Sequence, residues 1–239
     1  MAVKPHPVFT MMKSDDSVAR AMRWTVFLKE NKFDFSGIAE IRMDSDFPVM
    51  LDPAGNKFSI DFAGNKKNYA KKKAGMKTEL LSKAMGAGRY GKRILDLSAG
   101  LGIDAVFLAQ LGYSVTAVER NPLIFLALQE AVAAVELDLK FEFGEAHDFA
   151  NLETDVIYFD PMFPEKQKSA LPRQEMVFFK AMVGSDNDAD AVLQKAVASR
   201  SAKRVVVKRP LKAPLLGNLK PQSAVAGKLV RFDIYGVKA

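Results

Sequence analysis

Between residues 93 and 208, short apolar runs alternate with segments of helical spacing. The runs at 93–97, 114–118, 139–143, 156–160 and 204–208 are rich in Val, Ile, Leu and Phe, which predicts buried strands. Residues 103–111 carry helical spacing up to Gly112, and residues 122–135 open on Pro122, a residue suited to a first helical turn. Further helices are expected at 173–182 and 188–200. Strands alternating with helices predict an α/β fold with a doubly wound, mostly parallel sheet. A final strand at 231–235 has no helix before it and is expected to insert antiparallel, at or near an edge.

The first 62 residues follow another pattern and read as a small α+β region ahead of a main domain at 63–239. Helical spacing over 17–30 turns Val18, Met22, Val26 and Trp24 inward. Residues 47–51 and 57–62 read as short strands around the turn Asp52-Pro53-Ala54-Gly55-Asn56. A basic helix is expected over about 68–85, ending at Gly86-Ala87-Gly88.

The chain has no cysteine, so disulfides, thiolate nucleophiles and cysteine-ligated zinc are excluded. With two histidines, His6 and His147, no metal site is expected. No apolar stretch approaches the length of a membrane span and the start lacks a secretory core, so no membrane partner and a cytoplasmic location are expected. The net charge of +7 is uneven. Residues 64–93 and 200–239 each hold ten Lys/Arg and one acid, leaving the rest of the chain acidic. Two basic blocks point to a polyanion met by particular surfaces, with solvated surface lysine as the plainer reading. Tyr69, set among Lys66, Lys67, Lys71, Lys72 and Lys73, tilts the choice towards RNA.

The string Asp160-Pro161-Met162-Phe163-Pro164 follows the run at 156–159, at the carboxyl end of a strand, where open α/β sheets bind ligands. An exocyclic base amine is a poor nucleophile because its lone pair is delocalised into the ring. The Asp160 carboxylate and the Pro161 carbonyl can accept its two N–H bonds, and Phe163 can stack on the base. The loop Asp96-Leu97-Ser98-Ala99-Gly100-Leu101-Gly102-Ile103-Asp104 joins the first strand of this sheet to its first helix, and Glu119 ends the next strand. Glycines there let a ligand approach the backbone, and Glu119 can accept both ribose hydroxyls of an adenosine. Asp96 and Asp104 would repel a pyrophosphate but favour a sulfonium and an α-amino group, so S-adenosylmethionine is preferred to NAD. Gly144-Glu145-Ala146-His147-Asp148, after the third strand, is placed to flank the adenine.

These strings resemble class I methyltransferases. The longer match, running from Asp160 to Leu171 and through Lys203-Arg204-Val205-Val206-Val207-Lys208-Arg209-Pro210 and Arg231-Phe232-Asp233-Ile234-Tyr235, resembles the RsmJ family of bacterial 16S ribosomal RNA guanine-N2 methyltransferases. The resemblance covers roughly Phe58 to the C-terminus. It implies a Rossmann-like fold, S-adenosylmethionine as cofactor, and 16S RNA or the small ribosomal subunit as partner. It also implies cofactor contacts at Ile103 and Asp104, Glu119 and Arg120, Ala146 and His147, and Asp160. Ile103 can offer only its backbone. Met162 stands where amino-methyltransferases in general carry a second proline, in agreement with the narrower family.

Lys166, Lys168 and Arg173, after the motif, and Lys208 and Arg209, at a strand's carboxyl end, are candidate phosphate contacts beside Lys66, Lys67, Lys71 and Lys72. The rival functions are an amino-methyltransferase of DNA adenine or cytosine, a binding protein that kept the fold without activity, and an NAD-dependent oxidoreductase.

Overall fold

The computed structural model describes residues 6–10, 12–44, 46–64, 80–162, 178–179, 182–183 and 186–236. The N-terminal part pairs β1 (Phe9–Thr10), β2 (Glu40–Arg42), β3 (Val49–Leu51) and β4 (Lys57–Phe58) in that order, β1 parallel to β2 and the rest antiparallel. β1 and β2 were not legible in the sequence. The turn between β3 and β4 closes on Asp52, whose carboxylate accepts Asn56 N at 2.8 Å and Asn56 Nδ2 at 2.7 Å. The strand expected over 57–62 stops at Phe58, because Ile60 and Phe62 bury against the main domain instead.

Helix α1 (Asp15–Glu30) is capped by Ser14, whose side chain accepts Ser17 N while Ser17 Oγ accepts Ser14 N. Such reciprocal bonds satisfy two otherwise orphaned donors. Its buried face is Ser17, Ala21, Trp24, Thr25 and Leu28, so the inward assignment holds for Trp24 but not for Val18, Met22 and Val26, which are only half-buried. The rotation follows from polar anchors that apolar spacing does not register. Trp24 Nε1 donates to Glu130 Oε1 at 2.8 Å, Arg20 pairs with Glu130, and Thr25 Oγ1 donates back to Ala21 O.

In the main domain α2 (Leu80–Met85) is the described part of the expected basic helix. Then follow β5 (Arg93–Asp96), α3 (Ile103–Gln110), β6 (Ser114–Glu119), α4 (Pro122–Ala133), β7 (Leu139–Phe143), α5 (Ala146–Phe149) and β8 (Val156–Phe159). The chain continues through α6 (Ala189–Ser199), β9 (Arg204–Pro210), β10 (Ser223–Ala226) and β11 (Val230–Gly236). The sheet order is β10-β11-β9-β8-β5-β6-β7. β9, β8, β5, β6 and β7 are parallel, and β11 is antiparallel to both β9 and β10. The last strand therefore does insert antiparallel, one place from an edge made by β10, which the sequence reading lacked. The expected helix at 173–182 falls mostly outside the described residues. Among the described residues no helix is long and apolar enough to cross a membrane.

Successive strand residues face opposite sides of a sheet, and each side carries its own core. Ile94, Val156, Tyr158 and Val206 face α3, α4 and the N-terminal region, whose Trp24, Met50, Phe58 and Phe62 join the same cluster. Leu95, Ile157, Phe159, Val205 and Val207 face α6, through Val192, Leu193 and Ala196. The N-terminal residues thus share a core with the α/β domain. β5 lies between β6 and β8, so the connections part in opposite directions there. The crevice at the carboxyl ends of β5 and β8 is the switch point of the sheet.

Gly102 caps α3 at φ +70°, and a Cβ there would lie 2.6 Å from Phe62 Cζ and 2.9 Å from Leu128 Cδ2. Gly112, at φ +87°, has open space where its Cβ would be. Gly112→Ala should therefore cost about 1 kcal/mol, backbone strain alone. Gly102→Ala adds overpacking and should cost ~3 kcal/mol. Urea denaturation of both variants checks the difference; equal losses would mean that Phe62 does not press on the loop.

Candidate active site

Three loops at the carboxyl ends of β5, β6 and β8 carry acids into one crevice. Asp96 ends β5 and is 1% exposed. Its Oδ1 accepts Ser98 N at 2.9 Å and Ser98 Oγ at 3.2 Å. Ser98 Oγ in turn accepts Asp160 N at 2.6 Å, so one hydroxyl ties the glycine loop to the end of β8. Glu119 ends β6, with Oε2 accepting Gly100 N at 2.9 Å and Oε1 accepting Asn121 N at 2.8 Å. Asn121 then caps α4, its Oδ1 accepting from Leu123 N and Ile124 N. The buried carboxylate is thus aimed by backbone amides of two loops and retains lone pairs for a ligand.

Loss of hydration dominates the titration of these acids. Burial lifts Asp96 to about 7, against the Ser98 bonds and helped by the charges of Asp104 and Asp160. Burial lifts Glu119 to about 7 against its two backbone donors. Asp160 is raised by burial to about 6, with the Lys208 charge opposing the rise. Tyr158, buried beneath the site, donates its hydroxyl to Asp104 Oδ2 at 2.6 Å and is pushed well above the usual phenol range by burial and the surrounding acids.

A cavity of about 290 Å³ opens above these groups, and its walls include Ser98, Gly100, Ile103, Glu119, Ala146 and Asp160. Arg120 borders it and is held by Asp186, by Asp188 at 3.2 Å and by Glu145 at 3.5 Å. Asp186 also accepts Met162 N at 2.5 Å, which fixes the backbone just after Pro161. The cavity walls carry Asp104, Glu119, Asp160, Asp186 and Asp188 against Arg120 and Lys208, with Asp96 buried behind them, an excess of acids that favours a cation and disfavours a pyrophosphate. The residues present therefore fit the sulfonium and α-amino group of S-adenosylmethionine, with Glu119 placed for the ribose.

Of the expected residues, Ser98, Gly100, Ile103, Asp104, Glu119, Arg120, Ala146 and Asp160 line the cavity, while Asp96, Gly102 and Pro161 stand at the same edge of the sheet without lining it. His147 does not line the cavity; its half-exposed ring lies 3.5 Å from Lys195 Nζ and 3.8 Å from Asp148 Oδ1. Two phosphate assignments are corrected. Arg209 is 3% exposed, its Nη2 donating to Pro214 O at 2.6 Å, and it cannot present a surface charge to RNA. Lys208 points to the opposite face of β9, where Asp104 and Asp160 engage its ammonium. Phe163, Lys66, Lys67, Lys71, Lys72, Lys166, Lys168 and Arg173 lie outside the described residues.

Tyr158, Asn121 and Asp186 were missed by the sequence reading. For Tyr158 a signal existed: it stands two residues before Asp160, hence on the same face of the strand, and a buried phenol needs a partner. Asp186 carried none, since only the fold brings it to Met162.

The family model described as "Putative SAM-dependent methyltransferase" matches residues 48–237. A "Ribosomal RNA small subunit methyltransferase J" of Bdellovibrio bacteriovorus is 42% identical over 233 residues, covering 91% of this chain and 90% of the relative. The protein of the same name in Pseudoalteromonas atlantica is 40% identical, covering 77% and 78%. Among solved structures, a SAM-dependent methyltransferase from Neisseria gonorrhoeae superposes with a TM-score of 0.69 at 24% identity, over 96% of this chain and 94% of that one, a likeness of fold.

Because the folded pKa of Asp96 lies above that of an unfolded aspartate, the native state holds protons that the unfolded chain releases. The favourable contribution is complete below about pH 4 and is lost as pH rises through about 7. Between pH 5 and 7.5 Asp96→Asn should therefore lose about 2 kcal/mol less unfolding free energy than the parent. Denaturant titrations of the ligand-free protein at the two pH values measure it, and parallel losses would place the raised acid elsewhere.

Proposed function

The chain belongs to the ribosomal RNA small subunit methyltransferase J family of SAM-dependent methyltransferases, and from that premise we propose that it methylates the N2 amine of one guanine in small-subunit ribosomal RNA. The observation that carries this reading is Asp160. It leaves β8 at the switch point, its amide is fixed by Ser98 Oγ, and it borders the acid-walled cavity.

S-adenosylmethionine, when bound, supplies an electrophilic methyl group on a sulfonium. Asp96 and Asp104 lie on the side suited to its positive charges, and Glu119 to its ribose hydroxyls. The guanine amine donates its two N–H bonds to the Asp160 carboxylate and the Pro161 carbonyl, and Phe163 is assigned the stacking role. As the nitrogen–carbon bond forms, the carbon–sulfur bond breaks, its electron pair stays on sulfur as a thioether, and the N2 proton leaves by way of Asp160 to water. The amine becomes acidic as it is methylated, so no strong base is required. Orientation and electrostatics carry the rate. The carboxylates around the glycine loop argue against NAD. The alternative of DNA adenine or cytosine shares the Asp160 chemistry and differs in the product nucleoside.

Labelled S-adenosylmethionine and small subunits lacking the modification should give labelled N2-methylguanosine after digestion of the RNA. Label in another nucleoside, or none in RNA with cofactor binding intact, would overturn the substrate. Asp160→Ala should lower kcat by on the order of 100-fold or more with little change in circular dichroism or thermal midpoint. An active Asp160→Ala enzyme would remove it from the reaction.

The cofactor's positive charge should drive ionisation of acids titrating at about 7 and about 6. Binding should therefore release protons and tighten as pH rises from 6 to 7.5. Calorimetry in two buffers of different ionisation heat measures the release, and S-adenosylhomocysteine, lacking the sulfonium, should release fewer. Net uptake would contradict the arrangement.

A further inference from the structure

We propose that Lys208 is a positioning residue for methyl transfer: its ammonium is the counter-ion that holds the Asp160 carboxylate towards the amine while anchored to Asp104 on the cofactor side. The inference rests on Asp160 being the amine acceptor. β8 and β9 are parallel neighbours with Phe159 opposite Val207, so the next step along each strand sets Asp160 beside Lys208. Lys208 Nζ lies 2.8 Å from Asp160 Oδ2 and 2.8 Å from Asp104 Oδ2. The same Asp104 oxygen accepts the Tyr158 hydroxyl at 2.6 Å, so the lysine's second anchor is itself held. The ammonium spans from the first turn of α3 to the end of β8.

The charges around it give this bridge a function. Asp96 on β5, Asp104 on α3, Asp160 after β8 and Asp186 before α6 face one another, with the Tyr158 hydroxyl beneath. Arg120 is engaged by Asp186, Asp188 and Glu145. Among the described residues Lys208 is the cation in contact with both Asp104 and Asp160. Burial alone would depress its pKa, but the two carboxylates override that and raise it, so it stays charged. Without that charge Asp160, already lifted to about 6, would rise further and be protonated in the neutral range. A protonated Asp160 offers one fewer acceptor to the amine. A lysine held in this way is also unavailable to RNA phosphates.

The test compares Lys208→Met, Lys208→Arg and Lys208→Gln in the full chain. Lys208→Met should move the acidic limb of the kcat profile up by about one unit, which lowers kcat about twofold at pH 7 and about tenfold near pH 5, with recovery at higher pH. Its KM for small subunits and the salt dependence of RNA binding should stay as in the parent. Lys208→Arg should restore the limb towards its original position. Carbon-13 NMR of labelled Asp in the ligand-free protein should show the Asp160 carboxyl titrating higher in Lys208→Met, a readout independent of turnover. Lys208→Gln keeps hydrogen bonding without charge, should behave as the methionine variant does, and serves if that variant fails to fold. An unmoved Asp160 titration and kcat profile would overturn the proposal, as would a raised KM with a reduced salt slope, the signature of a phosphate contact. An inactive Asp160→Ala enzyme beside a normal Lys208→Met enzyme overturns this inference alone; an active Asp160→Ala enzyme overturns the reading on which it rests.

Discussion

Carboxylates that have lost much of their water are the constraint around which this molecule is organised. A parallel sheet packed on both faces leaves little water at its ends: Asp96 and Glu119 are buried at two of them, and Asp160, with about a third of its side chain exposed to the cavity, stands at a third. Each is aimed by local donors: Ser98 for Asp96, Gly100 and Asn121 for Glu119, Lys208 for Asp160. Those donors do not fully offset burial, so the site is left with a deficit of positive charge. A cationic ligand relieves that deficit in a way that an anionic one cannot. The same electrostatics make these acids costly to ionise without a cation beside them.

The N-terminal region takes part in this economy through packing. Phe62 presses on Gly102, and Trp24 anchors α1 to Glu130 on α4, the helix that Asn121 starts. Phe58 stacks on Phe178 with ring centroids 5.0 Å apart, and the next residue, Phe179, lies against Gly100. The glycine loop is thus gripped between the sheet and the N-terminal residues. Its backbone amides are held where Glu119 needs them, which is the kind of support a preorganised site requires.

Most of the α/β framework was legible because its strands are buried on both faces and its helices carry one apolar stripe. The strand at 139–143 matches residue for residue, and β5, β6, β8 and β9 differ only at their ends. β10 escaped notice because Ser223-Ala224-Val225-Ala226 is a largely exposed strand whose existence depends on pairing with β11. The rotation of α1 escaped for a related reason: Trp24, Arg20 and Thr25 find polar partners that no hydrophobic period contains. The acids of the site were legible, since each stands at the end of an apolar run, where α/β sheets bind ligands.

The sequence by itself determined the order of strands and helices, the glycine loop and the placing of Asp96, Glu119 and Asp160 at strand ends, because these follow from local spacing. The tertiary structure decided which charges meet. Lys208 and Arg209 are adjacent in sequence and looked alike as surface cations, yet alternation along β9 sends one to Asp104 and Asp160 and the other to Pro214 on the far face. Tyr158, Asp104 and Lys208 come from three separate elements, and only the register of β8 with β9 and the seat of α3 bring them within hydrogen-bonding distance. Long-range pairing of charge depends on folded geometry, and no local pattern encodes it.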